Sequence, residues 1–125
     1  MKPLILVVDD DAGIFEVLAD LLGNEGFEVH WARNSVEFEQ HAFSLSKPVL
    51  ILLDIMLGSE NGPEIYKHLL AKGFDRAIPV IFVSGLLQED PQPLPRHSGR
   101  LYAMHAKPFE FNRLLSDIRN LTDAA

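Results

Sequence analysis

Leu4-Ile5-Leu6-Val7-Val8-Asp9-Asp10-Asp11 is an apolar run of five residues that stops on three consecutive acids. An apolar run without polar alternation fits a strand covered on both faces, as in a parallel sheet flanked by helices. Met1-Lys2-Pro3 ahead of it superficially resembles the start of a signal peptide, but the run is shorter than the roughly 7–15 residues of a secretory core. Nowhere does the chain approach the roughly 18 apolar residues of a membrane span. Asp10 or Asp11 can cap a following helix. Ile14, Val17, Leu18, Leu21 and Leu22 have the spacing of that helix's inward face, and Gly23 or Gly26 can end it.

The same unit recurs downstream. Val49 to Leu53 is the most apolar run, predicted as the central strand, and it too stops on an acid, Asp54. Between them, Phe27, Val29 and Trp31 alternate with Glu28 and His30, the pattern of a half-exposed edge strand, and Trp31 reads as packing at the sheet edge rather than binding a ligand. Asn34-Ser35 with Glu37 resembles a capping box and opens a weak helix to about Phe43. Gly58 to Gly62 is expected as a loop, with Pro63 as the first residue of a helix carrying Ile65, Leu69 and Leu70 inward and stopping near Gly73. Ile78 to Val83 predicts a fourth strand with Pro79 near its beginning, and Leu101 to Met104 a short fifth. Phe111, Leu114, Leu115, Ile118 and Leu121 mark a last amphipathic helix. Strand and helix alternate about five times, which predicts a doubly wound α/β fold with a five-stranded parallel sheet. The natural order is the flavodoxin-like 2-1-3-4-5. The fourth helix is expected over 88–99 but is irregular or missing, because Pro91, Pro93 and Pro95 fall inside it. An interior proline costs a helix about 3 kcal/mol or more.

A chain of 125 residues, 47% hydrophobic and 23% charged, predicts one domain over 1–125 rather than a disordered or collagen-like chain. Eleven basic against 18 acidic residues leave a net charge of −7, a poor electrostatic match for nucleic acid or anionic lipid. The absence of cysteine removes disulfides, thiolate metal sites and thiol nucleophiles, and suits a reducing cytoplasm.

In open α/β sheets ligands bind at the carboxyl ends of the strands. The polar residues there are Asp9 and Asp10, Asp54, Ser84, and Lys107 with Pro108. Each has an ordinary structural reading: a helix cap, a turn, or an exposed lysine. Together they demand more. At about 4 Å and an effective dielectric of about 20, a like-charged pair costs roughly 4 kcal/mol, so three carboxylates call for a cation. Lys107 supplies one charge. A divalent metal supplies two, and oxygen ligands without histidine or cysteine favour magnesium. A carboxylate flanked by a metal, a lysine and a hydroxyl is a site for phosphoryl transfer, with the carboxylate as nucleophile.

At this point Leu6-Val7-Val8-Asp9-Asp10-Asp11, Leu50 to Gly62 with Asp54-Ile55-Met56-Leu57, Val83-Ser84-Gly85 and Ala106-Lys107-Pro108-Phe109 resemble the receiver domain of two-component response regulators, of the chemotaxis-regulator kind. The resemblance covers the whole chain. It implies that Asp54 is the phosphoacceptor. Asp10 would be a direct Mg2+ ligand, Asp9 one acting partly through water, and the Met56 backbone carbonyl a further ligand. Ser84 would hydrogen-bond the phosphoryl group, Lys107 would pair with one of its oxygens, and the Lys107-Pro108 bond would be cis. The donor would be a phosphohistidine on a sensor histidine kinase or a histidine phosphotransfer protein, with small acyl phosphates as non-protein donors. The output would go to an effector protein or to a linked output domain. The chain departs from the family where an aromatic residue often stands three positions before the lysine: Met104 is there, and Tyr102 lies two earlier. Gly58 replaces a frequent proline and Gly85 a frequent alanine. Met56 and Leu86, at the positions that influence phosphate lifetime in the family, cannot orient a water, so at most weak autophosphatase activity is expected.

Three other readings stand beside this one. A haloacid-dehalogenase-like phosphatase would use Asp9 as nucleophile and Asp11 as acid/base, but would leave Asp54 without a role and has no room for a cap domain. A receiver-like module acting without phosphorylation would bind through its surface alone. A flavin-binding protein would need a phosphate loop after the first strand, where three aspartates repel a phosphate. The five histidines show no metal-ligand spacing, and His105 reads as a strand-end residue. After the last helix no output segment follows before Ala125, which fits either a single-domain regulator or a receiver cut from a longer protein.

Overall fold

The computed structural model describes residues 2–84, 103–106 and 110–123, and gives the backbone alone at 84, 103–106 and 123. Five strands, β1 (Leu4–Val8), β2 (Glu28–Ala32), β3 (Leu50–Asp54), β6 (Val80–Ser84) and β7 (Ala103–Ala106), form one sheet. Its order is β2-β1-β3-β6-β7 and every pairing is parallel, which in predicted strand numbers is 2-1-3-4-5. A small antiparallel pair, β4 (Met56–Leu57) and β5 (Glu60–Asn61), stands apart from it. The helices are α1 (Ala12–Asn24), α2 (Ser35–Ala42), α3 (Gly62–Ala71) and α4 (Phe111–Asp123). The proline-interrupted helix expected over 88–99 lies outside the described residues. No described helix is long and apolar enough to cross a membrane.

Successive residues of a strand point to opposite faces, so the uninterrupted apolar runs build two cores. Leu6, Val8, Ile51, Leu53 and Phe82 face α2 and α3, where Phe38, Tyr66 and Leu69 close the layer. Ile5, Val7, Leu50, Leu52 and Ile81 face α1 and α4, covered by Leu18, Leu22, Leu114 and Ile118. Each such side chain, fully buried, contributes about 1.5–3 kcal/mol. On the second face Arg119 of α4 pairs with Glu25 at 2.8 Å.

Several expectations need correction. Val17 is 55% exposed rather than inward. The helix turns about 100° per residue, so Val17 lies about 100° from Leu18 and off the stripe that Leu18 and Leu22 define. The central strand runs over 50–54 and the fourth over 80–84, because Pro79 only precedes the ladder: its carbonyl accepts the Ile51 N–H at 3.0 Å. The fifth strand is 103–106 rather than 101–104, in the register Ile81↔Ala103 to Ser84↔Ala106. Pro63 is the second helical residue and Gly62 the first, after the cap Asn61. Within the expected loop at 58–62 a two-residue strand forms, closing a tight hairpin.

Candidate functional site

Register brings the acids together. The last paired residues of β1 and β3 are Val8 and Leu53, so Asp9 and Asp54 follow abreast on neighbouring strands. Asp54 pairs in turn with Val83 of β6, and Ser84 with Ala106 of β7. All these strands run the same way, so their carboxyl ends share one edge.

The three consecutive aspartates have three different tasks. Asp9 continues the ladder, its N–H donating to the Ala32 carbonyl at 3.0 Å. Its carboxylate accepts the Asp11 N–H at 2.9 Å, an Asx-type turn that swings the chain out of the sheet. Asp11 is the cap of α1, its Oδ1 accepting from the N–H groups of Gly13 at 2.9 Å and Ile14 at 3.3 Å. Asp10, between them, is exposed. Asp9 and Asp54 are only 3% and 4% exposed. One carboxylate oxygen from each of Asp9, Asp10 and Asp54 lies within 4.8 Å of the other two.

Beyond Asp54 the chain is folded tightly. Asp54 Oδ1 accepts the Met56 N–H at 3.1 Å. The Ile55 N–H donates to the Val83 carbonyl at 2.8 Å, and the Gly62 N–H to the Ile55 carbonyl at 2.7 Å. A Cβ on Gly62 would collide with the Asp54 carbonyl, so only glycine lets α3 start this close to β3. The hairpin pairs Met56 with Asn61 and Leu57 with Glu60, leaving Met56 outside and Leu57 buried. Its tip holds Gly58 at φ +60°, and a Cβ there would stand 3.8 Å from Asp10 Oδ2. Glu60 ties the hairpin to the start of α2, accepting from the Ser35 hydroxyl at 2.6 Å and the Ser35 N–H at 3.3 Å.

The α2 entrance departs from a simple capping box. Asn34 accepts the Glu37 N–H at 2.9 Å as expected, but the Glu37 carboxylate returns to the N–H of Arg33, one residue before the cap. It also binds the Arg33 guanidinium at 2.8 Å. Hydrogen bonding to that guanidinium lowers the Glu37 pKa from its ordinary 4.5 to about 2, and the Arg33 pKa is raised in turn.

The donor set fits a hard divalent cation. The ligand atoms that gather there among the described residues are carboxylate oxygens, and magnesium or calcium prefers such oxygen ligands. Of the residues singled out from sequence, Asp9, Asp10 and Asp54 converge, and Met56 lies beside them with its N–H on Asp54. Ser84 ends β6 at the same sheet edge, and Met104 pairs with Phe82 inside β7, with their side chains outside the described atoms. Lys107 and Pro108 lie outside the described residues. Sequence reasoning missed Trp31, whose indole N–H donates to the Asp9 carbonyl at 2.8 Å, and the Glu60–Ser35 tie. Both connect residues more than twenty positions apart, a distance over which periodicity carries no signal.

Comparison with known proteins agrees along nearly the whole chain. Residues 5–119 match the family described as the response regulator receiver domain. The DNA-binding response regulator MtrA of Mycobacterium tuberculosis is 32% identical over 120 residues, which are 95% of this chain and 50% of MtrA. An uncharacterized transcriptional regulatory protein of Bacillus subtilis, YbdJ, is 30% identical over 119 residues, 95% of this chain and 50% of that protein. The chain thus spans about half the length of the curated relatives it matches. Among solved structures, a putative response regulator from Chloroflexus aurantiacus superposes with a TM-score of 0.83 at 23% identity, covering 98% of this chain and 99% of that one. The response regulator StyR gives 0.81 at 28% identity, covering 99% of this chain and 61% of that one.

Proposed function

The chain belongs to the response regulator receiver domain family, and from that premise we propose that it is a phosphoacceptor: it takes a phosphoryl group onto Asp54 and passes the change to a partner or a linked output domain. The observation that carries this reading is the convergence of Asp9, Asp10 and Asp54 around the end of the central strand. An oxygen of Asp54 forms the new bond to phosphorus as the P–N bond of a phosphohistidine donor breaks. The donor imidazole, protonated on its other nitrogen, leaves as the neutral ring with the electron pair. Asp9, Asp10, Asp54 and the Met56 carbonyl would hold Mg2+, which when bound would supply positive charge to offset that of the phosphoryl group. Ser84 and Lys107 receive the remaining oxygens, Ser84 as hydrogen-bond donor and Lys107 as counter-charge.

The donor is a sensor histidine kinase or a histidine phosphotransfer protein, and on the same reading the domain acts in the cytoplasm. It is not an enzyme in this account. Met56 and Leu86 offer no group to orient water, so the phosphoryl group is lost slowly. The aspartate-nucleophile phosphatase reading needs Asp11 as acid/base, and that carboxylate is engaged in capping α1.

Intact mass after incubation with Mg2+ and acetyl phosphate tests the proposal. Wild type should gain one phosphoryl group, with none in Asp54→Asn and none in the presence of a chelator. Uptake by Asp54→Asn equal to wild type, or no uptake by wild type, would sink it.

A further inference from the structure

Asp9 is gripped at every polar group it has. Its N–H donates to the Ala32 carbonyl at 3.0 Å and its carboxylate accepts the Asp11 N–H at 2.9 Å. Its carbonyl accepts the Trp31 indole N–H at 2.8 Å. Two of these three bonds come from the edge strand β2. Trp31 pairs with Val7 in the ladder, so its ring stands on the α1 side of the sheet. There Phe15 of α1 stacks on it with centroids 4.9 Å apart and planes 7° from parallel. The Arg33 guanidinium lies over the same ring at 5.5 Å, itself held by Glu37. The indole therefore has little rotational freedom, and its N–H has a fixed aim.

An aliphatic residue at this edge would serve burial equally well; the N–H would not be replaced. The Asp9 carbonyl belongs to the planar peptide that leads into Asp10, so fixing its direction fixes where Asp10 begins. Exposed as it is, Asp10 otherwise has many conformations to lose on binding a cation. Ligands already held in place lose less.

We propose that Trp31 is a positioning residue for cation binding: its indole N–H, steadied by Phe15 and Arg33, holds the Asp9–Asp10 peptide so that both carboxylates face Asp54. The inference rests on the Mg2+ reading above.

Calorimetric titration with Mg2+, paired with urea unfolding in the absence of metal, separates positioning from packing. Trp31→Phe keeps a ring against Phe15 and removes the N–H. Benzothienylalanine incorporated at position 31 puts sulfur where the indole has N–H and keeps the shape, which guards against a variant that fails to fold. Both should bind Mg2+ about five- to tenfold more weakly than wild type, the loss expected for one hydrogen bond to a ligand-bearing loop. Phe15→Leu keeps the N–H but removes the stack that steadies it, so it should lower the unfolding midpoint and weaken Mg2+ binding by only about two- to threefold, less than either variant that lacks the N–H. Wild-type affinity in the benzothienylalanine protein would overturn the inference while leaving the Mg2+ reading intact. Absence of Mg2+ binding by wild type would overturn both.

Discussion

Two corners of the molecule connect a buried strand to a helix beside the same acidic cluster, and they are built on different principles. At the β1–α1 corner the chain turns in three residues, and the first and last of them, Asp9 and Asp11, are tied by short hydrogen bonds to backbone or to an indole on a neighbouring strand. At the β3–α3 corner the chain makes an excursion of seven residues, from Ile55 to Asn61, through a hairpin whose tip is exposed. Its base is pinned where Gly62 closes on Asp54, and its far side hangs from Ser35 by the Glu60 carboxylate. The first corner is suited to presenting ligands in one arrangement. The second has a base pinned against Asp54 and a tip open to solvent.

The sharpest way to break that contrast is at the base of the hairpin. Gly62→Ala places a methyl group against the Asp54 backbone carbonyl, with the Leu53 side chain also near. It should cost about 3 kcal/mol or more in denaturant unfolding, the upper range for overpacking against immovable backbone. If the variant matched wild type, the base would be as adaptable as the tip. Gly58→Ala tests the tip. Its Cβ meets nothing closer than Asp10 Oδ2 at 3.8 Å, so the penalty is the left-handed backbone alone, about 1–2 kcal/mol. A loss as large as that of Gly62→Ala would show the tip to be fixed as well.

The smallest effect belongs to the flank of the first corner. Because the Glu37 pKa is lowered to about 2 in the folded chain, its pairing with Arg33 contributes stability above the ordinary 4.5 and loses it as the pH falls through about 2. Glu37→Gln should therefore flatten the pH dependence of unfolding within that window and leave it unchanged at neutral pH. The pair is on the surface, so the change is small and shrinks further with salt. An unaltered acid limb would show that the Glu37–Arg33 pair adds no stability to the fold.

How much of this could be read beforehand follows from the range of each signal. Apolar runs located the inner strands, since Leu4 to Val8 and Leu50 to Leu53 leave no wet face, alternation located β2, and the order followed as the natural one for five strands alternating with helices. Strand-end acids then placed Asp9, Asp10 and Asp54 together without any knowledge of tertiary contacts. Boundaries slipped by one or two residues where ladder bonds, rather than hydropathy, decide them, as at Pro79 and Ala103. Val17 was misplaced because a broad stripe of apolar spacing does not say which edge of it meets the sheet. Trp31 and Glu60 were invisible in their second roles, because the alternation that identifies an edge strand says nothing about where an indole N–H points.

The two-sided core sets a timetable. One face of the sheet is closed by α2 and α3, all of whose residues precede position 72. The other has Leu18 and Leu22 of α1 early but is completed only by Leu114 and Ile118 of α4. Synthesis from the amino terminus therefore delivers the means to dry the first face well before the second. Until α4 clears the ribosome, the part of that face which α1 does not cover stays open to water and to other chains, a hazard of vectorial folding that ends when α4 docks.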